Sequence, residues 1–484
     1  MKKGIFLNMV QLYPVAELHY AQKYHFDSDT IAYVCDGSLR YCHVNPFGRK
    51  AICRYCVSRA QDVVKKLDCQ VKIIKSETSG EILNTSMNRI ENATMSSIAS
   101  ITRTADRYAL NKAWKRVYFN LLNSSKSIFL FFQKEFETGL ETVFMYNGRF
   151  AWDGAARASA IFSKKNYFVY DFKKATSYYE FFNISLHSVK ENHRRALKYY
   201  LKDPRKARSV AHEFIDSKIK GIPTYEQSYT ELQQTTLVGA PLDPNKKTIS
   251  IFPSSDDEYK FLSGEWGAPV VESQVREIWD LVANLDNTKF QVVVRMHPNM
   301  RGLSREILQA YNRVGEVFSN VFVLSPDDPT STYTLIDKSH LVVCFCSTVA
   351  TEANFMRKLV VNIGGSPYYK LPVANYVDTG KSAADLIHQN KVRLMPRRAS
   401  IIWFYYLWKY SDTNPNIASR DEQQEKGIPP FPFKIATPYW LRLFQSPFRA
   451  EIEFRRPSVR NWAYFKRIFT AVTDIILNKF SLKL

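Results

Sequence analysis

In the middle of the chain, apolar residues come in short unbroken runs with polar stops. Phe290-Gln-Val-Val-Val-Arg295 stops at Met296-His297-Pro298-Asn299, Leu341-Val-Val-Cys-Phe-Cys346 stops at Ser347-Thr348, and Leu359-Val-Val-Asn-Ile363 closes on Gly364-Gly365. Unbroken β-branched runs are the pattern of strands covered on both faces, as in a parallel sheet. A helical pattern through Glu352, Ala353 and Phe355-Met356 separates the last two. The same rhythm opens the chain. Gly4–Asn8, Thr30–Val34, Gln70–Ile74, Thr142–Tyr146 and Phe168–Tyr170 read as strands. Helices are expected over Pro14–Tyr24, with proline in the first turn, and over Asp153–Phe162. Residues 90–134 read as helical with few strand signals, an insertion that covers the sheet or forms an acceptor site.

Alternating strands and helices predict an α/β fold with doubly wound parallel sheets. Pro241-Leu-Asp-Pro-Asn-Lys-Lys247 is the best linker. After it a fresh unit starts with Thr248–Phe252, Pro253-Ser254-Ser255-Asp256 and a helix over Val271–Leu285. The expected division is therefore residues 1–240, residues 248–390 and a helical tail over 391–484 that docks on the first half, lies on a membrane surface, or both.

In open parallel sheets, ligands sit beyond the carboxyl ends of the strands. Here those ends carry His297-Pro298 and Ser347-Thr348, with Glu352 one turn into the next helix and Ser254 and Ser255 at a third strand end. A helix N-terminus favours anions, so a phosphate-bearing ligand is expected between the strand ends. His297 can donate to a phosphate oxygen, Arg295 adds charge, Ser347 and Thr348 offer hydroxyls, and Glu352 can accept from ribose hydroxyls. If such a ligand is a nucleotide sugar, the departing phosphate gains charge, and donors aimed at it stabilise the transition state most. An acceptor hydroxyl then needs a general base from across the cleft. Asp171, Asp153 and His187 are the candidates in the first half, and the sequence does not choose among them.

Composition adds three constraints. The 484 residues carry a net charge of +21, which calls for an anionic partner: nucleic acid, a membrane surface or an acidic substrate. The basic helical stretch over 186–220 reads equally as a solvated face. The tail from Gly427 to Leu484 holds ten Lys/Arg against three Asp/Glu, with Trp440, Trp462, Tyr464 and Phe465 interleaved. Its segment Asn461–Phe480 is amphipathic and suits an anionic bilayer. No apolar window reaches the roughly 20 residues of a membrane span, and no signal peptide is apparent. Five of the seven cysteines fall in the first 70 residues. Cys35, Cys42, Cys53 and Cys56 could hold zinc or an iron–sulfur cluster, although the first pair is too widely spaced for a zinc ribbon; free thiols in a reducing cytosol are the alternative.

Arg295-Met296-His297-Pro298, the stretch from Ser325-Pro326 to Tyr333, and Ser347-Thr348-x3-Glu352-Ala353 resemble the GT-B glycosyltransferases of bacterial surface polysaccharides, including sialyl- and Kdo-transferases of capsule and lipopolysaccharide. Asn147-Gly148-Arg149 before a small-residue helix resembles some capsule biosynthesis proteins. The resemblance covers residues 248–369 and reaches the first half only by architecture. It implies two Rossmann-like domains facing a cleft, with His297, Ser347, Thr348 and Glu352 near a donor nucleotide on the second. It implies no cofactor, no metal in the site, and a nucleotide-sugar donor, CMP-linked first and UDP- or GDP-linked next. The implied acceptor is a surface polysaccharide such as O-antigen, or a lipid-linked glycan, at the cytoplasmic face of the membrane. A polyol-phosphate transferase of the teichoic-acid type, using a CDP-linked donor, shares the fold and the His-Pro, but tends to have aspartate where this chain has Glu352. A non-catalytic assembly scaffold and a nucleic-acid binder are the rivals from other classes. No reader motif for nucleic acid is recognisable.

Overall fold

The computed structural model describes residues 2–7, 30–67, 70–103, 110–173, 178–184, 188–222, 233, 240–262, 266–301, 303 and 305–412. The helix expected over Pro14–Tyr24, the residue His187 and the amphipathic segment Asn461–Phe480 lie outside them. The first half runs β1 (Lys2–Leu7), β2 (Thr30–Cys35), α1 (Lys50–Leu67), β3 (Gln70–Ile74), α2 (Asn84–Thr102), α3 (Lys112–Glu137), β4 (Leu140–Tyr146), α4 (Ala151–Phe162), β5 (Asn166–Lys173) and β6 (Tyr178–Phe182). Two helices follow, α5 (Val189–Lys202) and α6 (Pro204–Ile219). The second half runs β7 (Lys247–Phe252), α7 (Asp256–Tyr259), α8 (Gln274–Ala283), β8 (Phe290–Arg295), α9 (Arg305–Val317), β9 (Val321–Leu324), α10 (Thr332–Lys338), β10 (Leu341–Cys344), α11 (Val349–Phe355), β11 (Leu359–Ile363), β12 (Asn375–Val377), α12 (Gly380–His388) and α13 (Arg397–Asp412).

The first sheet has the order β3-β2-β1-β4-β5-β6, and the second β12-β11-β10-β7-β8-β9. Numbered within its own half, each is the doubly wound dinucleotide-fold order, whose ligand crevice lies where the strand order reverses. The reversal falls between β1 and β4 in the first sheet and between β7 and β10 in the second. All pairs of the second sheet are parallel. The first sheet departs from the all-parallel expectation at one edge, where β6 runs antiparallel to β5 and pairs Asp171 with Glu180. Two such units in series make the GT-B architecture.

Burial explains the unbroken apolar runs. Val292, Val294, Val343 and Val361 enter one core, and their neighbours Val293, Val342 and Val360 enter another on the opposite face. The opposite-face core also takes Ala196, Tyr200 and Phe214 of α5 and α6 and Trp403 and Phe404 of α13. Residues 189–219, grouped by sequence with the first half, thus share a core with the second sheet, and α13 packs on them. In the first half, α2, α3 and α4 cover the sheet, with Trp114, Phe129 and Phe132 wholly buried. Most aromatics of the expected insertion are core.

Candidate functional site

The second sheet's crevice is built from three strand ends. β7 ends at Pro253-Ser254-Ser255, β8 runs out into Met296-His297-Pro298, and β10 stops at Cys344. Phe345 and Cys346, expected in that strand, instead form the turn. Cys346 takes a φ of +51°, a left-handed conformation uncommon for a side-chain-bearing residue, and Ser347 and Thr348 follow it. His297, Pro298, Ser254, Ser255, Ser347, Thr348, Glu352 and Arg295 all line one cavity of about 240 Å³. The structure therefore brings together every residue that the sequence places at the donor side.

Their roles differ from one another. The backbone N–H of Asn299 donates to His297 Nδ1 at 3.0 Å. In the neutral ring the proton then sits on Nε2, which becomes a donor. Burial, with Arg295 and Arg103 nearby, pulls the imidazole pKa down to about 4, so the neutral form prevails at ordinary pH. Arg295 does not serve as the free charge that its position in the sequence suggests. It is buried, and its Nη1 and Nη2 donate to the carbonyls of Ser325 and Asp328 at 2.6 and 2.8 Å. The strand's last side chain has folded under the sheet edge to hold the next loop. Ser255 is also occupied, donating to Asp257 and accepting from Arg103 Nη2 at 3.3 Å. Ser254 accepts from Gln274 Nε2 at 3.1 Å and keeps its own hydroxyl proton to give. Glu352 accepts from the Tyr333 hydroxyl at 3.0 Å.

The helix start contributes less than the sequence implies. α11 has seven residues and Thr348 makes no side-chain cap, so little macrodipole accumulates. Hydroxyls of Ser347 and Thr348 remain the donors there. Two cations absent from the sequence reading compensate. Lys218 of α6, buried at 5% exposure, lines the same cavity. Arg103, one residue past α2, reaches across from the first half to Asp257 Oδ2 at 2.5 Å and to the Asn299 carbonyl at 2.7 Å. Asn299, the residue whose N–H sets the His297 tautomer, is thereby held at its carbonyl from the other half. Arg103 carries no sequence signal, since it follows a helix remote in sequence from the strand ends, and Lys218 falls in the basic stretch 186–220 that reads equally as a solvated face.

The candidate bases do not gather there. Asp153, at the start of α4, lines a separate cavity at the first sheet's reversal point, together with Leu7, Cys35, Cys42, His43, Cys53 and Cys56. Asp171 was expected just past a strand end but lies inside β5, which continues to Lys173. The four cysteines share the Asp153 cavity, and none of them forms a disulfide. Burial pushes the Cys35 thiol up to about 11 and Cys42 well above its usual value. Among the described residues, no three His, Cys, Asp or Glu side chains could hold a metal ion. None of the described helices is long and apolar enough to cross a membrane.

No protein-family model matches the chain, and no curated protein does. Solved structures are similar at low identity. KpsC of Thermosulfurimonas dismutans, a β-Kdo 2,7-transferase, is 11% identical over 56% of this chain and 77% of its own, with a TM-score of 0.33. MnaA of S. aureus, solved with UDP, is 10% identical over 88% and 97%, with a TM-score of 0.29. MurG of Acinetobacter baumannii is 8% identical over 88% and 98%, with a TM-score of 0.26.

Proposed function

We propose that the chain is a glycosyltransferase moving a sugar from a nucleotide-linked donor to a glycan acceptor. One observation carries the reading: a neutral imidazole with its proton on Nε2, the Ser347 and Thr348 hydroxyls and the Lys218 ammonium share one cavity at the reversal point of the second sheet. That set suits the phosphate of a departing nucleotide, whose growing charge it meets with preorganised donors. Neutralisation by side chains makes the reaction metal-independent in this proposal. The donor is CMP-linked first, UDP- or GDP-linked next. The acceptor is a surface polysaccharide or lipid-linked glycan held on the first half, and the basic aromatic tail keeps the enzyme at an anionic membrane face. Asp153 is the base we favour over Asp171 and His187, because its side chain lies at the first sheet's own crevice.

A thermal-shift panel of CMP, CDP, UMP, UDP and GDP tests this. A ligand that binds only the folded form raises stability, by about 2.7 kcal/mol at a hundred times its Kd. One nucleotide is expected to stand out. Silence across the panel would overturn the proposal in favour of a scaffold. Selection of CDP would move the reading toward a polyol-phosphate transferase.

A further inference from the structure

A second concave surface lies on the first half, beyond the carboxyl ends of β2 and β3. It is an open groove of about 700 Å³, within the size range of sites for drug-sized ligands. α3 forms its floor, and two loops form its walls. Both walls are tied to that floor by serines one turn apart. Ser124 Oγ donates to the Tyr41 carbonyl at 2.5 Å and accepts from Trp152 Nε1 at 3.1 Å, which fixes the wall after β2. Ser127 Oγ accepts from the Glu77 N–H at 2.5 Å and donates to the Glu77 carbonyl at 2.8 Å, which fixes the wall after β3. Lys134 pairs with Glu77 at 2.5 Å and cancels the wall's carboxylate. The groove is thus shaped before any ligand arrives.

What remains facing it is chemically selective. Asn120 and Asn123 sit on the same face of α3 as the two serines, and neither amide is hydrogen-bonded among the described residues. Amides that both donate and accept, with the half-buried Tyr41, match the paired hydroxyls and apolar faces of sugars. Arg40 and Lys126 add two cations that form no ion pair among the described residues, so the groove carries uncancelled positive charge. Leu39, in the wall after β2, also lines the Asp153 cavity at the first sheet's crevice.

We propose that this groove binds a carboxylated oligosaccharide, the body of the acceptor chain, away from its reacting end. The inference rests on the glycosyltransferase reading for its purpose but not for its chemistry. The charge gives affinity, the amides read the sugar hydroxyls, and the loop from Ser38 to Asn45 leads the chain toward the crevice.

The test is calorimetric titration of the full chain with a galacturonate hexamer, maltohexaose and a uridine hexaribonucleotide. The galacturonate hexamer should bind, and more weakly as salt rises. The double variant Arg40→Glu/Lys126→Glu should lose about tenfold or more in affinity, and Asn123→Ala about threefold. Both variants should keep the wild-type circular dichroism and the wild-type response to the selected nucleotide. No binding of the galacturonate hexamer, unchanged binding in the double variant, or equal binding of maltohexaose or the RNA would overturn the proposal. If the nucleotide panel is silent while hexamer binding depends on Arg40 and Lys126, the donor reading falls and the groove stands. If a nucleotide binds and the hexamer does not, only the groove falls.

Discussion

His297 shows how a single residue is prepared by its neighbours. Its Nδ1 accepts from Asn299, so its useful proton faces away from that turn. Its folded pKa is lowered, to about 4, while the unfolded value is about 6.5. A depressed group stabilises the fold above its unfolded pKa, and that contribution is lost as pH falls through the folded value. Stability should therefore fall between pH 6.5 and 4. His43, also lowered to about 4 by burial and by Arg149, falls in the same window. Asp256 is raised by burial to about 6 and works the other way, losing stability as pH rises through that value. His297→Asn keeps an acceptor for the Asn299 amide and removes the titrating ring. Urea unfolding at pH 7 and pH 4.5 should show the variant losing less stability than wild type, by roughly 1–2 kcal/mol. An identical pH dependence would mean that the ring is not buried neutral. Residue identities at the strand ends were legible because a parallel strand exposes little else to solvent. Roles were less so. Arg295 reads as a free charge only until its guanidinium is seen bonded to two carbonyls.

At the scale of elements, the contact that matters most joins the two halves. Arg103 follows α2 and takes a φ of +57°, and its guanidinium lands on Asp257 of α7 and on the carbonyl of Asn299. Removing one partner of a buried pair leaves an uncompensated charge, at a cost of about 3–5 kcal/mol. Arg103→Ala should therefore lower stability by about 3 kcal/mol in denaturant unfolding, and adding Asp257→Asn should restore most of it. Additive losses would show that the two residues are not coupled. No sequence pattern announces such a contact, because it links positions 154 residues apart. The antiparallel edge β6 carries no such mark either, because Tyr178-Tyr-Glu-Phe-Phe182 is interrupted by a charge and lacks the β-branched run that announces the parallel strands. The four cysteines were read as a possible cluster from spacing alone. The fold brings them to one cavity, where burial pushes the thiols of Cys35, Cys42 and Cys53 up.

At the scale of the molecule, two sheets with the same strand order each present a crevice at the point of reversal. The second crevice holds donors for an anion, and the first holds Asp153 among thiols and apolar side chains. The α/β class was legible because rhythm is a property of the chain itself. Which half α5 and α6 belong to was not, since their apolar faces, Ala196, Tyr200 and Phe214 among them, fit a core that only packing defines. The account depends on a phosphate occupying the second crevice. The most direct measurement is a crystal structure of the chain soaked with the nucleotide that the panel selects. The account predicts phosphate oxygens within hydrogen-bonding reach of His297 Nε2, the Ser347 hydroxyl and Lys218 Nζ. A nucleotide bound anywhere else on the chain, with those three groups untouched, would contradict it.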